Sequence, residues 1–378
     1  MHLSNEREPP SRGEQWPSDV HLSTKTDGEG RSAMSGDALR AAIHAVAEGR
    51  ALRIDEMKAA MNEVLEGEGS EALIAALAMG LRVRGETTDE ILAAAEVMRT
   101  HCRAVSLRGE GPLLDTCGTG GDGSGSFNVS TASAIVVAAC GVRVAKHGNR
   151  AVSSRSGSAD VLEALGLRID LPVDRLRASV DDLGIGFLFA PAHHGALRHA
   201  APVRRALGLR TFFNLLGPLT NPAGATHQLV GVYDPSRTAP LAEVLGRLGG
   251  RRAWVVHGHG GLDEVSPLGP TKVSAWADGR VEERIIAPED FGLERSTEAS
   301  LAGGDAVANA TIVRAVLAGQ PIPQRAAVVL NAAAALVVAE QETELLAARR
   351  RVESALDDGS AVALLERWIE FSQPGDPP

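Results

Sequence analysis

Hydrophobic positions in the first patterned stretch of the chain recur with a helical period. From Asp37 to about Arg103, Leu39, Ile43 and Val46 fall on one face, and so do Leu73, Leu77 and Leu81. Thr87 and Glu90 have the spacing of a capping box ahead of the apolar run Ile91 to Met98. These signals predict a small helical domain over residues 37–106. After Gly109 the grammar changes to short β-rich runs alternating with helices: Leu113 to Thr116, a helix from about Thr131, Val142 to Lys146, and a helix near Ala159 to Leu165. Further strands are expected at Ile185 to Phe189, Gln228 to Tyr233 and Ala253 to His257, with Asp278-Gly279 turning between two extended runs. The Ala- and Leu-rich tail from about Asn309 to Phe371 reads as helix covering a sheet face. Such alternation predicts an α/β domain over 107–378 with a central, mostly parallel sheet. No internal repeat is visible.

Residues 1–36 lack this periodicity and are expected to form a disordered arm; Met34 stands just ahead of the first patterned segment. The arm has no apolar run of the secretory kind, and the longest apolar run, Ala326 to Ala339, is broken by Asn331 and is too short to span a bilayer. The 48 acidic residues outnumber 38 basic ones, and a net charge of -10 argues against broad capture of nucleic acid or an anionic membrane. Cys102, Cys117 and Cys140 have neither the even count of a disulfide framework nor close metal-ligand spacing, so a reducing, cytoplasmic setting is expected. Only four lysines occur, Lys25, Lys58, Lys146 and Lys272, which draws attention to each.

The segment GTGGDGSGSFNVST, residues 118–131, is the most informative. It places five glycines within eight residues, followed by the hydroxyls of Ser126, Ser130 and Thr131 just before a helix that lacks an obvious cap. Glycines let backbone N–H groups turn toward an anion, so a phosphate cradle is favoured over a tight surface turn. Residues 118–123 also match the dinucleotide pattern G-x-G-x-x-G. The context fails it, because the helix starts about seven residues too late and Lys146-His147 stands where the next strand should close on an acidic residue. No Gly-Lys-Ser/Thr follows the glycines, which excludes a Walker A loop.

Three further clusters carry chemistry. Lys146-His147-Gly148-Asn149-Arg150 lies at the carboxyl end of a predicted strand and leads into Ser153, Ser154, Ser156 and Ser158; it suits a polyanionic ester, with a solvated basic loop as the alternative. Asp263-Glu264 offers two adjacent carboxylates for magnesium, or else an ordinary solvated turn. His193 and His194 point to different faces of a helix, so a core or capping role is the default, and the basic stretch 198–210 reads equally well as a solvated face.

The strings GTGGDGSGSFNVST, KHGNRAVSSRSGSADVLEALG, FLFAPAHHGALRHAAPVRRALGLRTFFNLLGPLTNPAG and GLDE, in this order and spacing, resemble the anthranilate phosphoribosyltransferase family over about Asp37 to Phe371. The resemblance implies a fold of the nucleoside phosphorylase/phosphoribosyltransferase type. It further implies that a small helical domain, joined by helices from about 192–212, packs on the large α/β domain and that the protein forms a homodimer. It places 5-phosphoribosyl 1-diphosphate on Gly118, Gly121, Asp122, Ser126, Asn128, Val129, Ser130, Thr131, Lys146, His147, Gly148, Asn149, Arg150, Ala151, Val152, Ser153, Ser154 and Ser158. It places anthranilate on Gly118, Asn149 and Arg204 with His147, His194 and Pro218 nearby, and magnesium (Mg2+) on Ser130, Asp263 and Glu264. No general acid or base is assigned, and neither nucleic acid nor membrane is an expected partner. Two departures stand out: Ser126 where threonine is usual, and His194-Gly195 for the usual His-Pro. A pyrimidine-nucleoside phosphorylase and a non-catalytic nucleic-acid-binding relative are the rival readings. The first would not require Arg204 with Asn149, and the second sits poorly with the acidic balance.

Overall fold

The computed structural model describes residues 36–121, 123–151 and 155–373. The expected arm, together with Asp122, Val152, Ser153 and Ser154, lies outside the described residues. The chain begins with α1 (Asp37–Ala47), α2 (Ile54–Glu66), α3 (Glu71–Arg84) and α4 (Thr88–Thr100). It continues through β1 (Leu113–Gly118), α5 (Val129–Ala139), β2 (Arg143–Gly148), α6 (Ser158–Ala164), α7 (Val173–Leu183), β3 (Ile185–Phe189), α8 (Ala190–His193), α9 (Ala201–Leu207) and α10 (Phe213–Leu216). Then come β4 (His227–Gly231), α11 (Thr238–Arg247), β5 (Arg252–Gly258), β6 (Thr271–Ala277) and β7 (Arg280–Ile286). Four helices close the fold: α12 (Ala306–Leu317), α13 (Arg325–Val338), α14 (Leu345–Asp357) and α15 (Ser360–Ser372).

The seven strands form one sheet in the order β3-β2-β1-β4-β5-β6-β7. The first five pair in parallel, and β6 and β7 add an antiparallel edge. The β6–β7 hairpin turns at Asp278 and Gly279, both with positive φ (51° and 79°), as an Asp-Gly turn requires. Helices α5 and α13 are apolar on nearly every side because both are buried, packed on each other and on the sheet. The other face of the sheet shares a core with the helical bundle: Val230, Val255 and α11 residues Leu241 and Leu245 join Leu77, Leu81 and Ile91 in one cluster. The 3-10 turn Gly195–His199 packs on α2, and α9 on α3, so this excursion from the α/β part belongs spatially to the bundle.

Two boundaries differ from those the sequence predicts, and both matter chemically. Strand β2 runs on past the expected end at Lys146 to Gly148, so His147 joins Lys146 as a buried strand residue, and the solvated-loop alternative does not apply to either. Helix α5 begins at Val129, which puts Ser130 and Thr131 inside its first turn and not ahead of it.

The capping box on α4 forms as predicted, with Thr87 Oγ1 accepting from Glu90 N and Glu90 Oε2 accepting from Thr87 N. Glu90 does more than cap. Its side chain is 1% exposed, is ion-paired with Arg84, and accepts from Leu52 N at 2.7 Å, so one carboxylate joins three segments of the bundle. Replacing Glu90 with Ala leaves the Arg84 guanidinium and two backbone N–H groups without their acceptor. The expected cost is about 3–5 kcal/mol, the range for breaking a buried ion pair, read as a lower midpoint in denaturant unfolding. A midpoint equal to that of the parent chain would show that Glu90 is dispensable.

Candidate active site

The candidate site gathers at the carboxyl ends of the parallel strands, where ligands of open α/β sheets bind. Its rigid base is Asp115 on β1. This carboxylate is fully buried, accepts from His147 N at 3.1 Å and from Asn221 Nδ2 at 2.8 Å, and has Lys146 as its nearest compensating cation. Burial pushes the Asp115 carboxyl up and the Lys146 ammonium down, while the charge of each opposes both shifts. Lys146 Nζ donates to Thr116 O at 2.5 Å and to Ser130 Oγ at 3.3 Å. The lysine therefore lies beneath the glycine loop, in contact with Ser130.

Above β1 the glycine loop turns through four left-handed residues, Gly120, Gly121, Gly123 and Gly125, with φ between 66° and 77°. Its rim is held by Asp263, whose Oδ2 accepts from Gly120 N at 2.8 Å, while Glu264 Oε1 accepts from Ser130 N at 3.2 Å. The approach depends on absent side chains. A Cβ on Gly118 would lie 2.5 Å from Asp263 Oδ2, and one on Gly231 would lie 1.5 Å from the Asp263 carbonyl oxygen. Asn128, at the start of α5, is committed to the fold: its Nδ2 donates to Ser156 O, and its Oδ1 accepts from Ser156 Oγ and Asn309 Nδ2. Thr131 Oγ1 is buried and has no hydrogen-bond partner among the described residues.

Next to β2, Asn149 O accepts from Ala159 N and Ser158 Oγ, and Asp160 Oδ2 accepts from Ala151 N and Gly157 N. Arg150 is engaged within the fold through its side chain. Its guanidinium is paired with Asp160 and Glu163 and lies over the Phe189 ring, so it braces the loop onto α6. Ser126 pairs with Ala302 in an isolated bridge, and Phe127 N donates to Leu301 O.

His147, His194 and Pro218 do come together. The two imidazoles are 5.1 Å apart, and His147 Nδ1 donates to the carbonyl of Gly217, which precedes Pro218. Among the described residues, His147 Nε2 has no hydrogen-bond partner, and the one polar contact of the His194 ring is with the backbone of Thr220. Burial is the main cause that pushes His147 down to about 3 and His194 to about 4, so both rings are neutral. His193 has the structural role expected by default: its Nδ1 donates to Arg103 O. Arg204 on α9 is half-buried, its guanidinium pushed down by desolvation, with no carboxylate partner among the described residues, whereas Arg205 is exposed.

Two contributors carry no clear mark in the sequence. Asn221 joins Asp115 to the carbonyl of Ala145 and so fixes the segment that bears Pro218. Asn331, the residue that interrupts the apolar run of α13, accepts from Val265 N at 2.8 Å and donates to Val265 O at 2.9 Å, clamping the chain directly after Glu264. Its one trace in the sequence is a polar residue within an apolar run, which by itself assigns no role.

The neutral histidines give a pH dependence. The unfolded chain protonates these imidazoles near pH 6.5, whereas the folded chain resists until about 3 for His147 and about 4 for His194. Their contribution to stability is whole above pH 6.5 and is lost as pH falls toward these lower values, by up to about 1.4 kcal/mol per unit for each ring. His194→Leu should flatten the plot of melting temperature against pH between 6.5 and 4. A curve parallel to that of the parent chain would show that His194 is not held neutral.

As to a metal, no group of three or more His, Cys, Asp or Glu side chains among the described residues is placed to hold one. Two carboxylates beside a serine hydroxyl fit a hard cation that takes its remaining oxygen ligands from water and a phosphate-bearing substrate.

Family models match both parts of the chain: the helical bundle domain of a glycosyl transferase family over residues 40–102 and its a/b domain over residues 110–362. An anthranilate phosphoribosyltransferase of Myxococcus xanthus is 53% identical over 282 residues, 74% of this chain and 83% of the relative. One from Moorella thermoacetica is also 53% identical, over 285 residues covering 74% and 84%. Among solved structures, anthranilate phosphoribosyltransferase from Thermus thermophilus superposes with a TM-score of 0.83 at 44% identity, covering 89% of this chain and 99% of that one. The Saccharomyces cerevisiae enzyme in complex with PRPP and Mg superposes with a TM-score of 0.81 at 28% identity and the same coverage. With its motifs, its fold and both of its parts in agreement, the chain belongs to the anthranilate phosphoribosyltransferase family.

Proposed function

We propose that the chain transfers the phosphoribosyl group of 5-phosphoribosyl 1-diphosphate to the amine of anthranilate, giving N-(5-phosphoribosyl)anthranilate and diphosphate, a step of tryptophan biosynthesis. The observation that carries this is the hydrogen bonding of Asp263 to Gly120 N and Glu264 to Ser130 N, which makes the acidic pair and the glycine loop one site. Ser130, Asp263 and Glu264 would hold magnesium. Bound there, the ion supplies neutralising charge to the diphosphate as its bond to C1 of the ribose breaks.

The rest is the work of this chain. The N–H groups of the left-handed glycines, with Gly118 and Gly121 at either end of the tight turn, hold the donor's phosphates. Asn128, Val129, Ser130, Thr131, Ser126, Asn149 and Ser158 form the rim of that cradle, and Lys146 biases the field from below. Thr131 Oγ1 has an unspent hydroxyl in this rim. Arg204 takes the anthranilate carboxylate; an unpaired, partly desolvated guanidinium is suited to it. His147 and His194 line the acceptor side with Pro218 as uncharged walls. The amine of anthranilate has a free lone pair at neutral pH, so positioning, not a strong base, starts the attack, and closure of the site excludes water.

A cytoplasmic homodimer is part of the same proposal. The three cysteines are free thiols, in keeping with a reducing compartment, and no helix among the described residues is long and apolar enough to cross a membrane.

Incubation with anthranilate, 5-phosphoribosyl 1-diphosphate and magnesium should consume anthranilate fluorescence; well-folded protein that shows no turnover across a magnesium series overturns the reading. Arg204→Ala should weaken the apparent affinity for anthranilate about ten- to a hundredfold, as loss of a hydrogen bond to a charged group predicts. Arg205→Ala is the control and should leave it unchanged. Asp263→Asn and Glu264→Gln should each raise the magnesium concentration for half-maximal rate, and titration curves that overlay the parent chain would make the pair an ordinary turn.

A further inference from the structure

Arg210 has no place in the site as the sequence motifs define it. It follows α9 on the connection to α10, just after the left-handed Gly208. Its guanidinium carbon lies 4.0 Å from the centre of the Tyr233 ring, which sits two residues beyond the end of β4. The cation also lies close to the glycine loop: a Cβ on Gly121 would stand 3.2 Å from both Nε and Nη2. The neighbouring Gly120 N is the group that donates to Asp263. The guanidinium and the acidic pair thus border the same two residues of backbone.

Arg210 makes no ion pair or hydrogen bond among the described residues, so its donors are unspent. The other cations near the loop are committed. Lys146 is buried and donates to Thr116 and Ser130, and Arg150 is paired with Asp160 and Glu163. A guanidinium stacked on an aromatic ring keeps its edge free, and that edge is a planar fork matched to two phosphate oxygens. The diphosphate is the most highly charged part of the donor and gains charge as it departs, so it has the greatest need of such a cation.

We propose that Arg210, presented on Tyr233 beside Gly121, is a diphosphate-binding residue, contributed by the segment that packs with the helical bundle. This rests on the transfer reading above. Gly121 has a second role in it, since a Cβ there would press on the guanidinium at 3.2 Å.

The test is calorimetric titration of the full chain with magnesium diphosphate and, separately, with anthranilate, for the parent, Arg210→Gln, Arg210→Lys and Tyr233→Leu. Arg210→Gln should weaken magnesium diphosphate binding about ten- to a hundredfold. Arg210→Lys should restore part of that, because an ammonium keeps the charge without the fork. Tyr233→Leu should cost several-fold, and anthranilate affinity should stay within about twofold throughout, since no contact with its carboxylate is removed. Unchanged diphosphate binding in Arg210→Gln overturns the proposal, as does a loss confined to anthranilate. If the glutamine variant does not fold, Arg210→Met serves as the second neutral variant, and parent-like diphosphate affinity in it overturns the proposal equally. A parent chain that binds magnesium diphosphate but transfers nothing defeats the transfer reading, whereas parent turnover with unaltered diphosphate binding in Arg210→Gln defeats only the role of Arg210.

Discussion

The site depends on one buried carboxylate. Asp115 is fully buried within β1, and an ionised group placed there would be expelled or neutralised unless its oxygens were all occupied. They are: His147 N and Asn221 Nδ2 donate to them, and Lys146 supplies the compensating charge. Satisfying Asp115 therefore dictates the register of β2 against β1 at its carboxyl end, the path of the segment that carries Pro218, and the depth at which Lys146 sits. Ser130 inherits its environment from that lysine. The loops above can vary in composition only so far as this base remains complete.

On that base, the chemistry is built largely by backbone atoms. Asp263 and Glu264 are aimed by the N–H groups of Gly120 and Ser130, and the glycine loop is admitted by missing Cβ atoms at Gly118 and Gly231. Such an arrangement is pre-organised: groups that would meet a phosphate ester are held before it arrives, and little reorganisation remains for the reaction. The side that carries His147 and His194 follows another logic, with neutral rings in place of a dense network.

Much of this was legible in the residues. The Thr87–Glu90 box, the strand Ile185–Phe189, the Asp278-Gly279 turn and the late helix after the glycine loop all rest on local rules, and local rules survive folding. The failures share a cause as well. Lys146 and Arg150 look alike as basic residues of one short motif, yet one is under the sheet edge and the other is tied to α6. Strand length decides this, and it is set by pairing with β3, which no local pattern records. Asp115 stands just ahead of the glycine motif, and its role depends on Asn221, more than a hundred residues away. Arg210 was hidden for the same reason: its significance comes from Tyr233 and Gly121, each remote in sequence.

The clamp of Asn331 on Val265 bears on how this family can vary. The amide reads the main chain of residue 265 and not its side chain, so position 265 is open to any apolar residue the core will accept. Position 331 has no such latitude: aspartate lacks the donor, leucine lacks both groups, and either strands buried N–H or C=O groups. Two residues in direct contact thus stand under unequal constraint. Drift in the loop is cheap in the side chains that display it and is prohibited in the helix that holds it from behind.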